Sequence, residues 1–176
     1  MVIHAGRQVI SSIVLFAALL LTGLSAGFFY GWQVSAIPGL AVTDATTYVQ
    51  AMNGVNSQIR NAGFAAIFFG SVVLMALVLV LKVQRWRSPG FVFTALALSV
   101  YLFGTIAITF GVHVPMNVAL LEHTDFAELD IAAIRDTYES RWNTWHRVRS
   151  FAAIAAFTLL LLAVLRERLS RPDTSL

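Results

Sequence analysis

The residues of this chain best suited to chemistry fall on one short stretch, Trp142-x-x-x-His146-x-x-Arg149. At 100° per residue on a helix, the three side chains lie within roughly 60° of one another. An aromatic ring, an imidazole and a guanidinium then share one face, with Trp145 adjoining them. Arg149 lies about a turn inside an apolar run. A charge there either faces a bundle interior or wet cavity, or it snorkels outward. Both readings stand for Arg149, whereas Arg141 and Arg147 read as outward-facing.

Most other polar groups beside apolar runs lie at the same depth. Tyr30, Trp32 and Gln33 close the first run; Asn53, Asn56, Arg60 and Asn61 precede the second. His113, Pro115 and Asn117 follow the third, with a turn expected at Pro115. Asn53, Asn56 and Arg60 share a helical face. The amides of Asn56 and Asn117 suit orienting a phenol or a carbonyl, or closing loops and capping helices. Tyr30 serves as site residue or interface anchor. His113 and His146 suit acid–base work, or each bonds a loop carbonyl. No cofactor is expected. A metal or haem at His113 and His146 is the alternative, with only two candidate nitrogens and no carboxylate pair beside them. His123 reads as solvated in an acidic loop, and His4 is terminal.

The elements that position these residues follow from composition. Of 176 residues, 58% are hydrophobic and 12% charged. A soluble domain carries roughly 25% charged residues. Mean hydropathy is +0.76. This is an integral membrane protein built as one domain over residues 1–176. The net charge of +3 reflects topology, and no nucleic-acid-binding motif is present. Cysteine is absent, which removes disulfides, thiolate nucleophiles and Cys-based metal sites. Eleven of the twelve basic residues are arginine, as a GC-rich bacterial genome would give, and the expected location is a bacterial inner membrane.

A spanning helix needs about 20 apolar residues. Spans are predicted at about 9–30, 62–81, 91–112 and 146–165, giving an all-α four-helix bundle. The fourth apolar run, Phe151–Leu165, would reach only about 22 Å by itself. Its helix must therefore begin near Trp145 or His146. The first run reads as a retained span rather than a signal peptide, since it lacks a clean A-x-A site. One set of loops holds seven basic residues against two acids, and the other holds five against seven. Both termini are expected in the cytoplasm.

The connection Lys82–Gly90 is short, so the second and third spans are antiparallel neighbours. The two outer loops are long, from Gly31 to about Asn61 and from His113 to about Trp145. Pro38-Gly39 reads as a turn in the first, and a short helix follows from Asp44 to Ile59. In the second, Asp125-x-x-Glu128 fits a capping box. Ile131, Ile134, Tyr138, Trp142 and Trp145 then form a stripe that lies on the membrane or runs into the fourth span. Gly23, Ala26, Gly27, Gly63, Ala66 and Gly70 read as packing positions, and Phe28, Phe29, Phe64, Phe68 and Phe69 as core or lipid contacts. No Asp or Glu lies inside a span, which argues against a proton-coupled pump.

Ala26-Gly27-Phe28-Phe29-Tyr30, Pro38-Gly39-Leu40 and Ala51-Met52-Asn53-Gly54-Val55-Asn56, with Asn61 and Phe64, resemble the first half of the anthrone-oxygenase-like family. Val114-Pro115-Met116-Asn117 and Arg141-Trp142 through His146 and Arg149 resemble its second half. The likeness covers about residues 9–165. It implies a small four-helix membrane protein. It also implies that some members oxygenate anthrones to anthraquinones, without a flavin or haem. The matching residues are Asn56, Pro115, Asn117, Trp142, His146 and Arg149.

Two functions follow as expectations. In the first, a hydrophobic aromatic substrate enters among the outer helix ends. His146 removes a phenolic or benzylic proton, and Asn56, Asn117 and Arg149 stabilise the oxyanion for reaction with oxygen. Trp142, Trp145, Tyr30 and His113 complete the substrate site. In the second, the chain binds a lipid or small molecule without catalysis, or stabilises a partner in a membrane complex. An open pocket with convergent polar groups marks the first; satisfied groups in a closed bundle mark the second.

Overall fold

The computed structural model describes residues 2–122 and 130–169. His123 and the expected capping box at Asp125 and Glu128 lie outside them. Every element is helical among the described residues: α1 (Val2–Gly31), α2 (Ile37–Ala41), α3 (Ala45–Gln58), α4 (Ala62–Lys82), α5 (Pro89–Tyr101), α6 (Val114–Leu121) and α7 (Ile131–Leu169). Four helical spans are long and apolar enough to cross a membrane: Gln8–Ala41, Ala62–Arg85, Pro89–Leu121 and Ile131–Leu169.

The first span continues past the expected boundary at residue 30. A π-helical turn, Trp32–Ala36, joins α1 to α2, so Pro38-Gly39 lies within helix rather than in a turn. The third span does the same. The π turns Leu102–Ile106 and Thr109–His113 carry it from α5 into α6, and Pro115 and Asn117 are helical. The two corrections share one cause. Each proline falls in the first turn of a helix that restarts after a π turn, where a missing N–H and a fixed φ are tolerated. Hydroxyls of Ser35 and Thr109 donate to the carbonyls of Gly31 and Thr105, four residues earlier. Such back-bonding satisfies backbone oxygens near the wide turns.

Capping sets the other boundaries. Asp44 accepts from the Thr47 N–H at 3.0 Å and from the Thr47 hydroxyl at 2.6 Å. These bonds start α3 and hold the Asp44 carboxyl below its usual range. Asn61 accepts from the Phe64 N–H and so caps α4. Ser88 caps α5 with Pro89 behind it. Asp130 accepts from the Ala133 N–H and starts α7. As the short apolar run required, α7 begins well before Phe151 and runs 39 residues. The stripe from Ile131 enters the fourth span directly.

The main core joins Leu15, Ala18, Ala26 and Phe29 of α1 to Phe68, Met75 and Val78 of α4, Ala97 and Tyr101 of α5, and Ala153, Ala156 and Leu160 of α7. Alanines bring α7 close to its neighbours. Of the expected packing positions, Ala26 is buried, Gly23 meets the Phe157 ring and Gly70 meets Leu21. Gly27, Gly63 and Ala66 are exposed instead. At the end of the bundle near the chain termini, Lys82 pairs with Glu167. At the opposite end, a second core of Tyr48, Val49, Met52, Leu120, Ile131, Tyr138 and Trp142 seats α3 against α6 and α7.

Arg135 locks that end. Its guanidinium donates to the carbonyls of Thr43 at 2.6 Å and Ala41 at 3.1 Å, pairs with Glu139 and lies over the Tyr48 ring. It thereby closes the C-terminal carbonyls of the first span onto the start of the fourth. Hydrogen bonds to a charged group contribute about 1.5–3 kcal/mol. Arg135→Ala is therefore expected to destabilise the protein by about 2 kcal/mol, read as a lowered melting temperature in detergent. An unchanged melting temperature would refute the clamp.

Candidate functional site

A cavity of about 420 Å³ opens at the end of the bundle away from the termini. Each polar lining residue has a traceable origin. Thr109, His113 and Asn117 fall four residues apart along the third span, which places them on one face. The π turn Thr109–His113 lies within that stretch. Trp142, His146 and Arg149 project from α7, as their spacing required. Asn56 comes from the end of α3 and Arg60 from the link between α3 and α4. Phe28, Trp32, Phe64, Phe68, Phe110 and Val118 supply apolar walls.

The polar floor is closely bonded. The rings of Trp142 and His146 stack at 4.9 Å and 8°. His146 Nε2 lies 3.1 Å from the Phe29 carbonyl oxygen, so that nitrogen carries the proton and donates. Its Nδ1 then accepts from Arg149, whose Nε and Nη2 lie at 3.2 and 3.0 Å. Arg149 Nη1 donates to the Thr109 hydroxyl at 3.3 Å. The guanidinium carbon sits 4.8 Å above the Phe29 ring and 5.3 Å from that of Trp142.

A second chain of bonds runs through Asn117. Its Oδ1 accepts from the Tyr138 hydroxyl at 2.8 Å and from the Trp142 indole at 3.0 Å. With the carbonyl occupied, the group Asn117 can offer a ligand is its amide N–H. Asn56 donates to the Tyr138 hydroxyl at 3.5 Å. His113 Nε2 donates to the Trp142 carbonyl at 3.3 Å, and its Nδ1 has no hydrogen-bond partner.

Arg149 is buried, 7% exposed, yet faces no carboxylate among the described residues. Its hydrogen-bond acceptors are neutral, and no acidic residue lines the cavity among the described residues. Burying a charge without a counter-charge costs several kcal/mol unless dipoles and rings compensate. Arg60, exposed, adds a second cation to the lining.

His113, His146, Arg149, Asn117, Asn56 and Trp142 thus converge on one cavity. Two expected site residues stand apart from it. Tyr30 is 55% exposed because its neighbour Phe29 takes the buried direction, about 100° round the helix. Trp145 is 38% exposed at the edge of the face of α7 that carries Trp142. Asn53 donates to the Leu120 carbonyl and does not line the cavity. Arg141 and Arg147 are exposed, as expected. Thr109 and Trp32 were not foreseen as site residues. The four-residue spacing from Thr109 to Asn117 carried the signal for Thr109, masked by the turn expected at Pro115. Phe28, Phe64 and Phe68, expected as core or lipid contacts, also form cavity wall.

The two imidazoles do not offer paired metal ligands in this arrangement. The ring centroids are 6.3 Å apart, but both nitrogens of His146 are engaged. The neighbouring guanidinium would repel a cation. Among the described residues, no three His, Cys, Asp or Glu side chains converge. The same bonds bear on the expected role of His146 as base: its only lone pair is held by Arg149.

A family model described as anthrone oxygenase matches residues 57–159. The chain belongs to the anthrone oxygenase family. No curated protein matches it, and no solved structure does. The match takes in the second, third and most of the fourth span of this anthrone oxygenase family member, with His113, Asn117, Trp142, His146 and Arg149. Phe28, Trp32 and Asn56, which complete the cavity wall, lie before the matched residues.

Proposed function

We propose that the cavity binds a flat aromatic substrate of the anthrone class as its oxyanion and oxidises it with molecular oxygen. The observation that carries this reading is Arg149, a buried cation lining a cavity with no carboxylate among the described residues. An enolate or phenolate oxygen against the guanidinium supplies the missing counter-charge. The Asn117 amide provides a further donor. Fixed donors of this kind favour charge that develops during reaction. The apolar walls suit fused rings, and the volume is within the usual range for small-molecule sites.

Loss of a methylene proton makes the ring system electron-rich. Oxygen then adds at that carbon, and loss of water leaves a ketone. The methylene is oxidised, one oxygen atom enters the product and the other leaves as water. Incubation of the purified protein with 1,8-dihydroxyanthrone under ¹⁸O₂ tests this. One labelled atom per quinone, formed faster than in buffer, is expected. Binding without accelerated oxidation would leave a non-catalytic binding protein instead.

In this reading the termini lie in the cytoplasm and the cavity faces the outer leaflet, supported by the seven-to-two basic excess on the terminal side. A phosphatase fusion at Leu176 is expected to be inactive. Periplasmic activity at that position would reverse the orientation.

A further inference from the structure

We propose that His113 is the general base of this site, with His146 serving to hold Arg149. The inference rests on the substrate reading above and assigns the proton step within it. Two imidazoles line the cavity, and their bonding differs. His146 donates through Nε2 to Phe29 and accepts from Arg149 at Nδ1, so its lone pair is spent on orienting the guanidinium. His113 also has its Nε2 proton fixed by a carbonyl, that of Trp142. Its Nδ1 lone pair is left without a partner although the side chain is 1% exposed.

A buried acceptor without a donor costs about 1–3 kcal/mol. Nδ1 is closed to solvent in the empty cavity, so a substrate C–H or O–H meets it only by displacing the groups packed around the His113 ring. The ring is held by the edge of Trp142 at 5.0 Å and 84°, which limits its rotation. The Nε2 bond fixes the tautomer, as orienting partners do for catalytic histidines.

The step balances within the substrate and this side chain. The methylene C–H bond breaks and an Nδ1–H bond forms on His113. The C–H electron pair moves into the ring system and places negative charge on the substrate oxygen, which lies against Arg149. The imidazolium keeps its Nε2 bond to Trp142 and later returns the proton to water. No oxidant is needed, so the step can be isolated by excluding oxygen.

The test is anaerobic exchange of the methylene protons of 1,8-dihydroxyanthrone in D₂O, followed by NMR with the detergent-solubilised protein. Binding of the same probe is measured in parallel by absorption titration. Wild-type protein is expected to exchange the protons faster than buffer. His113→Gln keeps a donor for the Trp142 carbonyl and is expected to slow exchange at least about 100-fold, the usual lower limit for a lost general base. Its affinity for the probe is expected to change less than about threefold, since uniform binding is untouched. His146→Gln is expected to weaken binding and, because Arg149 then loses an orienting partner, to slow exchange at saturating probe as well, but by less than His113→Gln does.

Retained exchange in His113→Gln, or a loss there no greater than in His146→Gln at saturation, would overturn the assignment. So would a wild-type protein that binds the probe without accelerating exchange. If His113→Gln does not fold, His113→Ala with added imidazole takes its place. Restored exchange supports the role, and no restoration in a variant that binds the probe refutes it. A wild-type protein that does not bind the probe at all would instead remove the substrate reading.

Discussion

Replacing Arg149 by methionine is expected to weaken binding of an aromatic oxyanion by roughly 100-fold, near 3 kcal/mol, while leaving the bundle about as stable as before. The two halves of that expectation have separate origins. A guanidinium facing a bound oxyanion makes charge-assisted hydrogen bonds of about 1.5–3 kcal/mol each. Stability responds differently because, among the described residues, the empty site buries the cation against neutral partners. Exchanging a buried charge for an apolar side chain of similar volume is often neutral or stabilising. Against that stands the donor lost to His146 Nδ1, a penalty of about 1–3 kcal/mol. The opposing terms leave a melting temperature within a few degrees of wild type. A large fall in melting temperature with unchanged probe affinity would make Arg149 a structural residue. Arg149→Lys keeps the charge but loses the fork that reaches His146 and Thr109 together, so it is expected to fall between the two.

Gly104→Val is expected to be the most damaging single change outside the site. A Cβ at Gly104 would run into the Cβ of Ala152 on α7. At Gly23, Gly70 and Gly90, the obstructing atoms belong to the side chains of Phe157, Leu21 and Glu167, which can swing aside. A methyl fixed to a helix backbone cannot. Overpacking of this kind costs about 1–3 kcal/mol, and more where neither helix can shift. The site should suffer as well. Gly104 lies in the π turn Leu102–Ile106, just before Thr105, whose hydroxyl donates to the Arg149 carbonyl at 3.3 Å. Spreading the third and fourth spans removes that bond and draws Thr109 and His113 away from Arg149. Thermal melting and probe titration together check this. The pair Gly104→Ala with Ala152→Gly is expected to recover what Gly104→Ala alone loses. No recovery would mean that the close approach is not the cause.

The four spans were legible because each carries an apolar run near membrane length, and the fourth had to be extended to reach it. The shared face of Trp142, His146 and Arg149 followed from helical spacing alone, whereas the face expected for Asn53, Asn56 and Arg60 did not form, because α3 ends at Gln58 and Arg60 lies in the link to α4. Pro38 and Pro115 misled because a proline normally ends a helix, whereas here a π turn before each lets the helix restart. That hid the alignment of Thr109, His113 and Asn117. Gly104 was not singled out, because a glycine in an apolar run looks the same whether it faces lipid or Ala152. The division of labour between the two histidines was also hidden. It depends on where the carbonyls of Phe29 and Trp142 point, and those are fixed by packing between spans distant in sequence.

Anaerobic titration of the wild-type protein with 1,8-dihydroxyanthrone near neutral pH, read by absorption, tests most directly whether Arg149 holds an aromatic oxyanion. One probe bound per chain with the spectrum of its anion is expected, and Arg149→Met should abolish that spectrum. A probe that stays in solution, or that binds in its neutral form equally well to both proteins, would contradict it.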